Sequence, residues 1–218
     1  RPVEPMKPSK ASTALTLAAC LAVVIPAATA RASLLGVDIG FPRIAFSSAS
    51  PIAFSYDAAS QLLDVTAEPT LALFSTSEFP APLSGMVGLS IRARVDAGGQ
   101  LLGGVAGDDF TLTGTVSRTV GSVTTTYTGT LLTGEIAGFG FLESGATDQF
   151  DFRFAGTGGS LLGLFSPALL AADITSAAST FTGGFAADFS GQANGIVGQD
   201  RARPEKRPPH PLCAALGE

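Results

Sequence analysis

The sequence predicts an all-β fold, an antiparallel β-sandwich with one short helix. Three observations carry this. Apolar and Thr/Ser side chains alternate through most of Gly107 to Phe154, the pattern of consecutive strands with one buried face. The 218-residue chain holds 26 Gly and 15 Phe with only 14% charged residues, which suits short strands joined by tight turns better than helices. No 20–50-residue period recurs in three or more copies, so the other all-β architecture, a β-solenoid, is disfavoured. A jelly roll of roughly nine to twelve strands is one topology that fits.

Residues 1–32 read as upstream sequence plus a secretory signal peptide. Arg1 to Pro5 precede Met6, and Met6-Lys7-Pro8-Ser9-Lys10 is a basic start. Ala11 to Ile25 is apolar or small, and Pro26 breaks it. Ala28-Thr29-Ala30-Arg31-Ala32 then offers small residues for cleavage between Ala32 and Ser33, with Ala30 as the alternative. The apolar stretch is shorter than the ~20 residues a membrane span needs, so no span is expected in the mature chain. Leu17-Ala18-Ala19-Cys20 resembles a lipoprotein box, but the chain stays apolar beyond Cys20, which favours ordinary cleavage. The second Cys is Cys213, so the domain at residues 33–198 must be held by its core without an internal disulfide.

The strands follow in order. Ile44 and Phe46, then Ile52, Phe54 and Tyr56, predict two strands split near Ser50-Pro51. Tyr56–Leu63 and Val95–Leu102 share a pattern of Asp-Ala, two small residues, then Gln-Leu-Leu, which reads as one hairpin turn used twice. Between them, Leu89, Ile91, Ala93 and Val95 alternate with Ser90, Arg92 and Arg94. Phe110, Leu112, Gly114 and Val116 oppose Thr111, Thr113, Thr115 and Ser117. In the next strand, Val123, Tyr127 and Leu131 share one face and Thr124, Thr126, Thr128 and Thr130 the other. Phe150, Phe152 and Phe154 oppose Asp151 and Arg153, so a one-residue slip would expose three Phe. Ser160–Ala172 is the predicted helix, with Ser166 as its cap and Pro167 at its first position. Phe181, Phe185 and Phe189 are assigned to the inner face of a last strand. Residues 199–218 change to a basic, Pro-rich tail, read as a disordered linker or as the product of a reading-frame error near Gln199.

Charge and side-chain inventory exclude several functions. Between Ser33 and Gln199 there are fourteen acidic and five basic residues, a net charge of −9 that repels nucleic acid. The same span holds no His, Lys or Cys, so a Ser-His-Asp or Cys-His centre lacks its base and a structural zinc site lacks its ligands. Carboxylates remain. Glu68, Glu78, Glu135 and Glu143 could serve a glycosidase, although no Trp is available as a sugar platform. Asp108, Asp109, Asp148 and Asp151 sit at two acidic turns and are the calcium candidates. The competing reading is that these Asp start turns and cap backbone N–H groups. Calcium is thus the one cofactor under consideration, and no catalysis is expected.

Gly36–Ile44 (GVDIGFPRI), Gly103–Asp109 (GGVAGDD), Gly129–Glu135 (GTLLTGE) and Thr147–Phe154 (TDQFDFRF) together resemble bacterial exported proteins sorted through a PEP-CTERM tail. That resemblance implies secretion or surface attachment in an exopolysaccharide-producing Gram-negative bacterium, with exopolysaccharide or envelope components as partners. The sorting tail itself is absent, since Arg203-Pro204-Glu205-Lys206 is not the motif and no apolar helix follows. The resulting expectation is an exported structural or matrix-associated surface protein. A calcium-assisted carbohydrate-binding module and a carboxylate-dependent glycosidase are the alternatives.

Overall fold

The computed structural model describes residues 33–145, 147–165 and 169–201. The expected signal peptide with Cys20 and Ala32, the cap at Ser166-Pro167, and the tail from residue 202 lie outside the described residues. The described residues form twelve strands: β1 (Ile39–Ser48), β2 (Phe54–Asp57), β3 (Leu62–Leu73), β4 (Ala81–Pro82), β5 (Ser84–Val95), β6 (Leu101–Gly103), β7 (Phe110–Val120), β8 (Val123–Leu142), β9 (Thr147–Gly158), β10 (Leu169–Ala177), β11 (Phe189–Gly191) and β12 (Ala193–Asp200).

These strands close into a barrel, which corrects the sandwich prediction. β1, β3, β5, β7, β8, β9, β10 and β12 pair with their neighbours in chain order, and every pair is antiparallel. β12 then pairs with β1 from Ile39↔Asp200 to Ser48↔Ala193 and completes the ring. A sandwich would leave free edges on both sheets, and here the eight main strands form an up-and-down circle. β2, β4, β6 and β11 are short flanking strands outside that circle. Bulges between Ala45 and Phe46, between Leu112 and Thr113, and between Ile136 and Gly138 supply the local bending that closure requires.

The predicted helix is also corrected. Among the described residues of that span, only Leu162–Leu164 forms a 3-10 turn, and Leu169–Ala177 is a strand paired on both sides. A short apolar run fits a buried strand as well as a helix, and two flanking strands decide it. Phe181 and Phe185 are likewise not in a strand. They lie in the connection from β10 to β11 and fold into the lower mouth of the barrel, both buried. The last strand is β12, Ala193–Asp200.

Eight strands enclose a space that side chains can fill, and here Phe fills much of it. Phe54 stacks on Phe150 with ring centroids 4.1 Å apart, and Phe110 on Phe154 at 5.0 Å. Phe185 meets Tyr56 edge-on at 5.0 Å and Phe189 at 5.4 Å. Offset and edge-to-face contacts of this kind add to the stability gained by burial. At the upper mouth, Leu161 and Phe165 are buried, and Leu161 bonds to Leu131, where the bulge turns the consecutive Leu131 and Leu132 inward.

The outer face is polar. Thr66, Glu68, Arg92, Arg94, Gln149 and Asp173 all project from barrel strands and are exposed. A transmembrane barrel has the reverse pattern, an apolar belt outside and a polar interior. Among the described residues, no helix is long and apolar enough to cross a membrane. The recurring hairpin phrase forms two matching turns at the lower end. Asp57 accepts the N–H of Ala59 and Ser60, and Asp96 accepts those of Gly98 and Gln100. The Tyr56 hydroxyl ties the two together by donating to the Val95 carbonyl at 2.8 Å.

Candidate functional site

The four calcium candidates fall at separate places, and their oxygens are largely committed to the protein. Asp109 is 2% exposed and accepts the backbone N–H of Val105 at 2.6 Å and of Ile136 at 2.9 Å. It therefore clamps the β6–β7 connection onto β8. Asp108 is exposed and accepts from the Thr157 hydroxyl. Asp148 is fully buried on the inner face of β9, where one oxygen accepts the Ser144 N–H. Asp151 lies on the outer face of the same strand. Among the described residues, no group of three or more His, Cys, Asp or Glu is arranged to hold a metal ion. Asp109 is thus engaged by backbone N–H groups and Asp108 by a hydroxyl.

Glu135 on β8 stands beside this clamp. Partial desolvation, then the charge of Asp109 and a hydrogen bond to it, push its pKa above the usual 4.5. A glycosidase needs its two carboxyl groups well separated around the scissile bond. Asp109, beside Glu135, is instead occupied by backbone donors. Glu78 is engaged elsewhere, in an ion pair.

Asp151 is outward-facing yet 4% exposed, because residues 33–37 lie across it. Ser33 pairs with Phe141, and the Gly36 N–H donates to Asp151 at 3.2 Å. Glycine makes this approach feasible: a Cβ at Gly140 would fall 2.7 Å from both the Leu35 nitrogen and the Ser33 carbonyl oxygen. Arg153 donates to the Leu35 carbonyl and also pairs with Asp200 at 2.8 Å. The first described residues therefore form a strap held by a buried carboxylate.

Burial, and then the charge of Asp173 opposite it on β10, raise the pKa of Asp151, while N–H groups of Val37, Gly36 and Leu35 lower it. Asp173 is also raised, by desolvation, although its side chain is open to solvent. The folded state then binds more protons than the unfolded chain from about pH 3.8 upward, and unfolding free energy falls as pH rises through that window. Asp57 and Glu78, whose pKa values are lowered, act in the opposite sense, but only below their ordinary values of 3.8 and 4.5. The melting temperature is therefore expected to be higher near pH 5 than near pH 7.5, and Asp151→Asn is expected to flatten that slope. A melting temperature that rises across this range in the parent protein would contradict the assignment.

The upper end carries a site of which sequence reasoning picked out Glu78 alone. Beyond Gly114 and Gly129 the β7–β8 hairpin leaves the barrel as an arm. It leans toward the connection that runs from β3 to β5 through Phe74, Glu78 and Phe79. Arg118 joins the two by a bidentate pair with Glu78, at 2.6 and 2.9 Å, and its guanidinium sits 5.2 Å from the centre of the Phe74 ring. Each partner stabilises the other's charge: the Glu78 pKa falls and that of Arg118 rises, mainly through their shared hydrogen bonds. A cleft of about 290 Å³ opens there, lined by Phe74, Ser77, Glu78, Phe79, Arg118 and Thr119. Phe79 is 94% exposed at its rim. The usable signal was a Phe between Glu78 and Pro80 in a loop, an apolar ring with no alternating neighbours to bury it.

On the outer face of the arm, hydroxyls pair across the strands. Thr115 meets Thr128 at 2.7 Å, Ser117 meets Thr126 at 2.8 Å and Thr119 meets Thr124 at 2.9 Å. Comparison with family models, curated proteins and solved structures gives no match to this chain.

Proposed function

We propose that the chain is an exported structural protein of the bacterial surface or extracellular matrix, acting without catalysis. The observation that carries this reading is the barrel interior. Phe rings from the strands and from the β10–β11 connection occupy it in mutual contact, so the working surface is the outside. That outside is hydroxyl-rich and acidic, and residues 33–201 contain no His, Lys or Cys. A side-chain set of this kind suits a durable scaffold better than a reactive centre. The resemblance to exported PEP-CTERM-sorted proteins supports the same placement. Its test is to fractionate the producing bacterium and assay the purified chain on polysaccharides. The chain is expected in the surface or matrix fraction and releases no reducing ends. Release of reducing ends that disappears in Glu135→Gln would overturn the non-catalytic reading.

A second reading is favoured by one specific observation. The upper cleft joins an exposed aromatic ring, Phe79, to an Arg–Glu pair and to hydroxyls, the mixed lining that holds sugars by ring contact and hydrogen bonds. It describes a carbohydrate-binding surface that needs no calcium. Glycan-array binding lost in Phe79→Ala and unchanged by a chelator would support it.

A further inference from the structure

We propose that the arm pairs edge to edge with the arm of a second copy of this chain, through the free side of β8. This names the partner for the structural reading and rests on that reading for its purpose, not for its geometry. β8 is 20 residues long, but its pairing with β9 starts only at Thr133. Just before that point, the Thr130 carbonyl accepts the Ser160 N–H and the Leu131 carbonyl accepts the Leu161 N–H. Among the described residues, the strand from Val123 to Gly129 therefore pairs with β7 alone, and none pairs with its other side.

The direction of the backbone groups follows from the hairpin. Val120 and Val123 close a two-residue turn at Gly121-Ser122, with Gly121 at φ 62°. In such a hairpin the closing pair exchanges main-chain hydrogen bonds, and bonded and non-bonded pairs then alternate. Thr119–Thr124, Ser117–Thr126 and Thr115–Thr128 are the non-bonded pairs, in which side chains approach most closely. Their 2.7–2.9 Å hydroxyl contacts agree with that assignment. The N–H and C=O groups of Thr124, Thr126 and Thr128 consequently point away from β7, toward the open side.

Open edges usually carry protection, such as Lys, Pro, a bulge or short length. The other flanking strands use shortness: β4 has two residues, and β6 and β11 have three each. Val123–Gly129 reads VTTTYTG, β-branched or aromatic at six of seven positions, with no charge and no Pro.

The occupant follows from charge and symmetry. The domain carries −9 overall, so most faces of two copies repel each other. The arm from Thr113 to Thr130 holds one charge, Arg118, and Glu78 neutralises it. An antiparallel two-fold places Thr126 opposite its own copy and Thr124 opposite the partner's Thr128. Both strands then offer matching donors and acceptors and continue the Thr rows across the join. An isologous contact of this kind closes as a dimer.

The test is sedimentation of the full exported chain at about 100 µM, where an association of micromolar strength is populated. A dimer is expected. Thr126→Pro removes the outward N–H while leaving the β7–β8 bonds in place, and it should weaken dimerisation at least ~10-fold with the barrel melting temperature unchanged. Thr126→Lys, which keeps the backbone donor, is expected to do the same by charge repulsion. A parent chain that stays monomeric, or a dimer unaffected by both variants, would overturn the pairing and leave the structural reading standing. A chain that dimerises but is found only inside the cell would do the opposite.

Discussion

Phe150→Ala is expected to lower the unfolding free energy by about 4 kcal/mol and the melting temperature by roughly 8–16 °C. Phe150 is fully buried at the centre of the lower aromatic cluster. Its ring lies 4.1 Å from Phe54, 5.4 Å from Phe181 and 6.3 Å from Phe189, counted between centroids. Those partners come from β2, the β10–β11 connection and β11, so one truncation loosens three elements. The barrel wall limits collapse, because each strand is bonded on both sides. Phe79→Ala is the matched control: the same truncation at a 94% exposed site is expected to leave the melting temperature within about 1 °C. If Phe150→Ala melts within ~2 °C of the parent, the interior is not the packed aromatic core described above.

The second large effect is expected at Asp109. Asp109→Ala strands the N–H groups of Val105 and Ile136, both of which donate to its carboxylate. Leaving two such donors without partners costs about 3 kcal/mol, or some 6–12 °C in melting temperature. Asp108→Ala removes an exposed carboxylate with one hydroxyl donor, and a change within ~0.5 kcal/mol is expected. A calcium site would behave differently, since both Asp would contribute to it and millimolar calcium would raise the melting temperature of the parent alone. Equal losses in the two variants, together with such a calcium-dependent rise, would replace the turn-capping account with the metal one.

The strand faces were legible because a half-buried strand has a side-chain period of two. Phe150, Phe152 and Phe154 alternate with Gln149, Asp151 and Arg153, and the structure buries all three Phe. The same rule placed Leu89, Ile91 and Ala93 inside and Arg92 and Arg94 outside. It failed where an extra residue enters. The bulge at Leu131 puts two consecutive leucines inside, and no alternating pattern announces that. It also failed in 160–172, where apolar residues are too dense to show a period. Phe181, Phe185 and Phe189 recur every four residues, which is not a strand period. They were grouped by their chemistry, and the structure uses two of them to fill the barrel mouth.

The candidate site was less legible than the fold. Asp108 and Asp109 were singled out as calcium candidates at a turn, and adjacent carboxylates look the same whether they bind a cation or backbone N–H groups. The difference lies in Ile136, 27 positions from Asp109, whose N–H takes the second oxygen. Arg118 and Glu78 stand 40 positions apart, and nothing local links them. The strap over Asp151 was invisible for the same reason, with Gly36 115 positions away.

By itself, the sequence determined an all-β domain with an aromatic inner face, a hydroxyl-rich acidic outer face, no disulfide within residues 33–201, and two Asp-started hairpins. These are consequences of side-chain type and short-range period, which any antiparallel arrangement must respect. Tertiary structure alone decided that the strands close into a ring, that residues 33–37 cross the outside, and that, among the described residues, none pairs with one side of β8 over Val123–Gly129. Each of those depends on which backbone groups hydrogen-bond over long separations. A β-strand offers the same N–H and C=O groups at every position, so the choice of partner is set by the whole packed chain.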